Sequence, residues 1–430
     1  MRIILNKQRI VSITAAALVL ILCCLLCRGK EPAPGPEVPS RPEGLNTLIT
    51  NEMSQRPELS RMDHSIDSFM RYWDLRGGAL AIIRGDSLLY AKGYGWADKE
   101  EGSEMTPGTL MRIASVSKLM TAVGIMKLVE DNRLALTDTV FGPAGILPEY
   151  KTHYACQRQI TVEHLLRHQA GFVRKYGDPM FSTLSLMRQH GLAEPPASET
   201  MVEKQLRYQL DFQPGTSHYY SNFGYLVLSM IIEKISGQTY EQFMQEQVFH
   251  ACGCTDFHIA GNYLEDRLPG EARYYMHKDS EDVPEYTGSG NLVPKCYGGN
   301  NLAALQGAGA WVCSAVELAK VVASIDGDAL TPDIISGKSV ATMTWQESPD
   351  SFPLGWVDCK EDGEWTRTGS FGGTTAIVKR YPGGETWIFL TNTSTWKGPR
   401  FSKWESAYFR KLSAKFSTRL PKQNLFSVSL

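Results

Sequence analysis

The chain has 430 residues, of which 43% are hydrophobic, enough apolar side chains for a large buried core. Its 44 lysine and arginine residues nearly balance 46 aspartate and glutamate residues, leaving a formal net charge of -2. Because no basic run is long enough to attract a polyanion, nucleic acid is not an expected partner. The composition favours a globular protein of two or three lobes over a tail or a scaffold.

Residues 1–27 have the pattern of an export signal. Basic residues precede an uncharged stretch from Ile10 to Leu26, whose length lies between a signal-peptide core and a minimal membrane-spanning helix. The pattern therefore fits a cleaved signal peptide or a signal anchor, and Cys23, Cys24 and Cys27 add a lipoprotein signal as a third interpretation. We expect the rest of the chain to be exported to the periplasm or cell envelope, and to be tethered to the membrane if the signal is retained or lipidated.

Three further segments follow the signal. Residues 28–45 are rich in proline and predict a stiff tether. Residues 46–415 carry the periodic patterns of a folded domain, and residues 416–430 are predicted to be a C-terminal tail. Six cysteines lie beyond the signal, and their even number permits disulfides, but the sequence does not assign their pairing.

The first predicted elements of the domain are a helix and a hairpin. Apolar residues at helical spacing predict an amphipathic helix; they are Met62, Ile66, Phe69, Met70 and Trp73. Two strand-like runs, Gly78–Ile83 and Leu88–Tyr94, then flank a turn that contains Gly85 and Asp86. A second pair of strands near the other end, Thr374–Tyr381 and Thr386–Leu390, flanks a proline and two glycines.

The middle of the chain is mostly helical in pattern. One helix begins near Ser115, another ends at Gly237, and Thr239 with Gln242 forms a capping box for the next. The last helix carries Phe401, Trp404, Tyr408 and Leu412. The predicted fold is therefore α+β: an antiparallel sheet built from both chain ends, flanked by helices, with an inserted mostly helical lobe. A cleft between sheet and lobe is the expected place for a site.

A serine and a lysine three residues apart mark the first candidate motif. Ser115 and Lys118 lie at the predicted start of a helix, where this spacing places both side chains on one face. A hydroxyl is a weak nucleophile at its own pKa, and Lys118 can take or steer its proton. Unpaired N–H groups in the first turn would also favour negative charge near Ser115.

The second candidate motif is Tyr220-Ser221-Asn222. The spacing of two lets Tyr220 and Asn222 project the same way from an extended segment, one as a base and the other as a substrate anchor. An ordinary phenol with a pKa of about 10 is ionised in only about one molecule per thousand at neutral pH. If Lys118 and Arg367 lower this pKa by about two units, the phenolate fraction becomes useful.

The third candidate motif is Arg367-Thr368-Gly369-Ser370, which precedes a predicted strand. Arg367 can hold a substrate carboxylate, with Thr368 and Gly369 as further substrate-binding positions. Gly369 lets a ligand come close enough for the Ser370 N–H to join the Ser115 N–H as an oxyanion hole. Loss of one such donor typically lowers the rate by about a hundredfold to a thousandfold.

In this order the three motifs resemble the serine β-lactamase and penicillin-binding-protein superfamily, and the Tyr-x-Asn form is similar to its class C β-lactamase, D-aminopeptidase and esterase branch. The resemblance covers residues 60 to 415 and includes Leu165–Gly171, Gly307–Trp311 and Arg380–Gly384. It implies a β-lactamase/transpeptidase-like fold, with no metal or organic cofactor.

The resemblance also implies roles for the motif residues. Ser115 would be the acylated nucleophile, Lys118 its proton partner, Tyr220 the general base and leaving-group acid, and Asn222 a contact for a substrate amide. Arg367 departs from the family pattern, where lysine or histidine is usual, because arginine keeps its charge but cannot give up a proton.

We therefore predict an exported serine hydrolase that acts through an acyl-enzyme on a small-molecule or peptide substrate. A β-lactam, a D-amino-acid peptide and a small ester all remain open, as does the oligomeric state. The alternative is a penicillin-binding sensor or catalytically idle protein of the same fold. The intact set of three motifs argues against this alternative, and the departure at Arg367 argues for it.

Overall fold

The computed structural model describes residues 44–173, 175, 177–328 and 333–427, which belong to one compact unit. The predictions for the export signal and for the tether up to residue 43 lie outside the described residues. Among the helices that the structure does describe, none has both the length and the apolar character needed to cross a membrane.

An antiparallel sheet built from both ends of the domain frames the fold. The strands are β1 (Gly77–Arg84), β2 (Ser87–Asp98), β3 (Ser103–Glu104), β4 (Met111–Arg112), β5 (His258–Ile259), β6 (Val283–Pro284), β7 (Leu292–Val293), β8 (Trp311–Cys313), β9 (Asp358–Cys359), β10 (Trp365–Phe371), β11 (Thr374–Arg380) and β12 (Glu385–Thr391). Seven of them form the main sheet in the order β3-β2-β1-β12-β11-β10-β9. Ala79 of β1 lies opposite Leu390 of β12, so the two ends of the domain meet inside the sheet, as predicted.

Helices cover the sheet and form the inserted lobe. They are α1 (Leu45–Leu48), α2 (Ser60–Trp73), α3 (Ser117–Glu130), α4 (Val162–Leu166), α5 (Thr183–His190), α6 (Ser198–Gln205), α7 (Asn222–Ser236), α8 (Tyr240–Met244), α9 (Ala315–Ala323), α10 (Gly337–Thr344) and α11 (Phe401–Phe416). The capping box at Thr239 is present, and α7 ends at Gly237 in the left-handed region at φ 78°. These features confirm the predicted boundaries.

Both faces of strand β1, which lies between β2 and β12 in the sheet, are covered by apolar packing. Ala79 and Ala81 belong to the hydrophobic cluster of the inserted helices, whereas Leu80 and Ile82 pack with α2 and α11. Successive side chains of a strand point to opposite faces, so this alternation places the sheet between two helical layers.

The last helix differs from its prediction in one respect. Its buried stripe runs through Phe401, Glu405, Phe409 and Leu412, whereas Trp404 is exposed. The inward positions follow steps of four and three from Phe401, and Trp404 falls beside that stripe rather than on it.

The chain beyond α11 packs on the domain as far as residue 427, although a tail was predicted from residue 416. Leu420 and Leu425 are buried, and the Asn424 side chain accepts a hydrogen bond from the Leu88 backbone N–H at 3.0 Å. Two leucines in a short polar segment give too weak a pattern to predict this packing.

Candidate active site

Ser115 lies in a tight turn that points its side chain out of the core. A 3₁₀ turn, Ala114–Val116, leads directly into α3, so Ser115 precedes the helix in which the sequence had placed it. Ala114 has φ 46°, which is uncommon for a residue with a side chain. Ala114 and Val116 are buried while Ser115 is partly exposed, so the turn presents one hydroxyl to the outside.

Strand β10 lies close against this turn, and Gly369 makes the approach possible. A Cβ atom on Gly369 would lie 2.3 Å from the Ile113 carbonyl oxygen and 2.9 Å from the Ser115 nitrogen. The sequence prediction was a close approach by a ligand, but the nucleophile turn itself occupies that space. Any larger residue here would push the strand away from Ser115.

Lys118 is fully buried beneath the Ser115 hydroxyl. Its Nζ lies 3.4 Å from the Ser115 Oγ, donates to the Asn222 Oδ1 at 2.7 Å and also donates to the Ala308 carbonyl. Burial lowers the pKa of Lys118, and the nearby Arg367 guanidinium lowers it further. Three acceptors around one nitrogen nevertheless match the three donors of an ammonium group.

Tyr220 has the properties of a base poised near neutral pH. Burial alone would raise the pKa of its phenol, but the charges of Lys118 and Arg367 and hydrogen bonds with Ser115 and Lys118 outweigh burial and lower the pKa to about 8. Roughly one molecule in ten is then ionised at pH 7. The shift agrees in direction and size with the one considered from the sequence.

Arg367 does not take the position that its predicted role requires. The side chain is fully buried, and its Nε donates to the Ser115 carbonyl oxygen at 2.7 Å while one terminal nitrogen reaches the Tyr220 hydroxyl at 3.1 Å. Strand alternation turns Arg367 inward, behind the nucleophile, where a substrate carboxylate has no access. The geometry instead supports Arg367 as a cation that fixes the turn and lowers the pKa of Tyr220.

Asn222 lines the cavity beside Ser115 and is held by charged groups of the protein on both ends of its side-chain amide. Its Oδ1 accepts from Lys118, and its Nδ2 donates to the Asp178 Oδ2 at 2.7 Å. The amide therefore bridges a cation and an anion within the protein, and this bridge uses one of the two N–H groups of Nδ2. Asp178 also accepts from the Met180 N–H at the start of a short 3₁₀ turn.

A cavity of about 430 Å³ opens above these groups. It is lined by Ser115, Phe181, Tyr220, Asn222, Phe352, Val357, Thr368, Gly369, Ser370, Phe371, Pro399 and Ser402. Residues of all three sequence motifs thus meet at one cavity, and Thr368 and Ser370 stand on its wall as a substrate site requires. A mixed aromatic and hydroxyl lining suits a small organic acyl group.

Sequence reasoning assigned no role to three residues that shape the site. His168 packs its ring against Tyr220 with centroids 4.5 Å apart, and its Nδ1 accepts from the Ser221 N–H. Burial, together with Lys118 and Arg367, holds the pKa of His168 well below its usual value. The others are Asp178 and Ala308. His168 and Ala308 each had a local signal, since they lie in the Leu165–Gly171 and Gly307–Trp311 runs, whereas Asp178 had none.

The antiparallel sheet, the inserted helical lobe and the serine at their junction define the fold of serine β-lactamases and penicillin-binding proteins. The family model described as Beta-lactamase matches residues 62–408. The chain belongs to the Beta-lactamase family, whose members are serine hydrolases acting on amides and esters.

Individual relatives are distant. The chain is 28% identical over 222 residues to penicillin-binding protein 4* of Bacillus subtilis and 26% identical over 189 residues to teichoic acid D-alanine hydrolase of Staphylococcus aureus. These matches cover 50% and 44% of this chain but 46% and 41% of the relatives, so the chain spans less than half of either. The structure of D-amino acid amidase from Ochrobactrum anthropi SV3 superposes with a TM-score of 0.59 at 21% identity, covering 79% of this chain and 92% of that one.

Proposed function

We propose that this protein is a serine hydrolase that forms an acyl-enzyme at Ser115 and cleaves amide or ester bonds of small acyl compounds. The observation that carries the proposal is the convergence of three groups on one cavity: a partly exposed Ser115 hydroxyl, the Lys118 ammonium 3.4 Å away, and the Tyr220 phenol with a pKa of about 8. Family membership gives the same reaction class.

The residues support a two-step reaction. The ionised Tyr220 oxygen takes the proton from Ser115, whose oxygen bonds to the substrate carbonyl carbon, and the carbonyl oxygen becomes negative. The N–H groups of Ser115 and Ser370 are the proposed donors to that oxygen. As the tetrahedral intermediate collapses, Tyr220 gives its proton to the leaving amine or alcohol, and water then releases the acyl group by the same steps.

The names of the relatives help to rank the possible substrates of this chain. Two of the similar proteins carry names that refer to D-alanine or D-amino acid amides, and a third is a penicillin-binding protein. We include β-lactams, D-aminoacyl amides and small esters as substrates of this chain, with the D-aminoacyl compounds first. We also propose that it acts in the cell envelope, on the pattern of residues 1–27.

The test is covalent labelling of the purified full-length protein with a fluorophosphonate and with a fluorescent penicillin. We expect both labels on the wild type and neither on Ser115→Ala, a loss of at least a hundredfold. Ser117→Ala is the matched control, because Ser117 is fully buried and hydrogen-bonds to Trp311 rather than facing the cavity; it should keep its labelling.

The fate of the adduct separates hydrolase from sensor. Recovery of free enzyme, with turnover of a panel of nitrocefin, D-alanine p-nitroanilide and nitrophenyl acetate, supports the proposal. A penicillin adduct that persists, with no turnover of any member of the panel, contradicts it and supports an idle penicillin-binding protein. Labelling that survives in Ser115→Ala would contradict both.

A further inference from the structure

We infer that the outer face of α11, together with the loop before it and the end of α2, binds the surface of an anionic lipid bilayer. This surface is called the basic aromatic face, and its main residues are Tyr72, Trp396, Arg400, Lys403, Trp404 and Lys411. The inference concerns an interaction surface and does not depend on the chemistry at Ser115.

Three exposed aromatic rings meet around Trp73 at the end of α2. The ring centroids of Tyr72, Trp396 and Trp404 lie 5.3, 4.9 and 6.0 Å from that of Trp73. Tyr72 is 73% exposed, Trp396 50% and Trp404 55%. A group of large exposed apolar side chains marks an interaction surface, and tryptophan and tyrosine are the residues enriched where a membrane meets water.

The same face of α11 carries positive charge. Between residues 396 and 419 the sequence has seven lysines and arginines, all exposed, and one acidic residue, Glu405, which is buried. Steps of three and four from Arg400 place Lys403 and Lys411 on the side of the helix that also holds Trp404. Because the whole chain has a net charge of -2, this concentration of cations is a local feature and not a result of composition.

The elements next to α11 do not cancel this charge. At the end of α2, Asp74 pairs with Arg76 at 3.1 Å, and the half-buried Asp67 lies one turn before the exposed Arg71. Of the cations after residue 396, Arg410 pairs with a buried carboxylate at the edge of the face, at 2.7 Å. The face as a whole therefore stays positive and attracts an anionic partner.

The combination of charge and aromatic rings selects a bilayer over other anionic partners. Anionic headgroups strengthen binding by about fivefold for each lysine or arginine near the surface. Indole and phenol rings insert at the level of the headgroups, with their polar edges towards water. A soluble polyanion would use the lysines but offers no apolar layer for the three rings.

The basic aromatic face borders the Ser115 cavity. Pro399 and Ser402 line that cavity, and they directly precede two cations of the face, Arg400 and Lys403. A bilayer bound at the face therefore lies beside the cavity, so that compounds held at the membrane surface come near the nucleophile. The proposed location in the cell envelope supplies such a bilayer.

The experiment measures flotation of the full-length protein with vesicles of phosphatidylcholine alone and of an equal mixture with phosphatidylglycerol. We expect the mixed vesicles to bind the wild type at least about tenfold more tightly. The double variant Lys403→Gln/Lys411→Gln should bind the mixed vesicles about tenfold to thirtyfold more weakly. The uncharged stretch near the N-terminus is the same in every variant, so differences between variants report the face.

A matched control removes the same charge from other segments. Lys151→Gln/Lys338→Gln replaces two exposed lysines outside the face and should bind the mixed vesicles like the wild type. Circular dichroism checks that each variant is folded.

Replacement of the aromatic rings distinguishes a bilayer from a soluble polyanion. Trp396→Gln/Trp404→Gln should lower binding to the mixed vesicles by about tenfold, because the rings no longer bury apolar surface. The same variant should bind soluble polyphosphate as well as the wild type does. Tyr72→Gln, with an expected loss of about threefold, covers the case in which the tryptophan variant does not fold.

The outcomes separate this inference from the proposed function. Equal binding of all variants to the mixed vesicles would overturn the inference and assign the binding to the N-terminal residues. If the lysine variant loses both vesicles and polyphosphate while the aromatic variants lose neither, the face binds polyanions and the bilayer is the wrong partner. If the vesicle results are as expected but the fluorophosphonate does not label Ser115, the proposed function alone is wrong.

Discussion

Two groups of charges near strand β10 show opposite ways of burying an ion. Next to the first residue of the strand, the buried Glu364 carboxylate meets Lys360 at 2.7 Å, Lys379 at 2.8 Å and Arg410 at 2.7 Å. Further along, the buried cations Arg367 and Lys118 hydrogen-bond to neutral acceptors: an amide, backbone carbonyls and a phenol.

The pKa shifts follow from this difference. Burial would raise the pKa of Glu364, but the three cations hold it at about 2, so the group is ionised throughout the physiological range. The uncompensated cations instead lower the pKa of a neighbouring acid, Tyr220, to about 8. Charges matched within the protein stabilise the fold, whereas charges left unmatched are available for chemistry.

The largest effect on the free energy of unfolding is expected when Glu364 loses its carboxylate. Glu364→Gln leaves the almost fully buried Lys379 ammonium without its anion, and we expect the free energy of unfolding at pH 7 to fall by about 3 kcal/mol. The folded-state pKa lies below the ordinary value of 4.5, so the stabilisation is present above pH 4.5 and is lost as the pH falls towards 2. Urea denaturation of the wild type and of Glu364→Gln at several pH values measures the free energy of unfolding of each.

Glu361→Gln, at an exposed glutamate of the same turn, is the control and should change stability by less than about 0.5 kcal/mol. The difference between wild type and Glu364→Gln should shrink between pH 4.5 and pH 2. A difference that stays constant over this range would show that the cations are not what holds the carboxylate ionised.

Replacement of Arg367 should change the reaction rate more than the free energy of unfolding. Arg367→Met removes one of the charges that lower the pKa of Tyr220, so the pKa should rise and the acidic limb of the kcat/KM profile, expected near pH 8, should move to higher pH. We expect about a tenfold loss at pH 7 for each pKa unit, with recovery at higher pH.

Arg367→Lys is the matched control, because it keeps a positive charge and should move the limb less. Both profiles are recorded with a substrate that has no ionisable group in this range. An equal loss at every pH would contradict the electrostatic role and leave Arg367 only as a support for the Ser115 carbonyl.

Most of the fold followed from local pattern, but the contacts within the site did not. The first helix and both hairpins were predicted because apolar spacing and turn residues are local signals. Motif spacing singled out Ser115, Lys118 and Tyr220. The inward orientation of Arg367 depends on which face of β10 the lobe covers, and the Asp178–Asn222 contact joins residues 44 apart in sequence. Neither has a periodic signature.

Glu405 sharpens the comparison, because it is a buried carboxyl with neither matching cations nor a place on the site cavity. It is fully buried on α11, and within the described residues neither oxygen has a hydrogen-bond partner. Burial raises its pKa well above 4.5, so stability is lost as the pH rises above the ordinary value.

Glu405→Met should therefore stabilise the protein by about 1 kcal/mol at pH 7, and increasingly so at higher pH. Glu405→Gln, which keeps a polar group but cannot ionise, should lack the pH dependence. A less stable Glu405→Met would mean that this carboxyl, like Glu364, has a partner that compensates its burial.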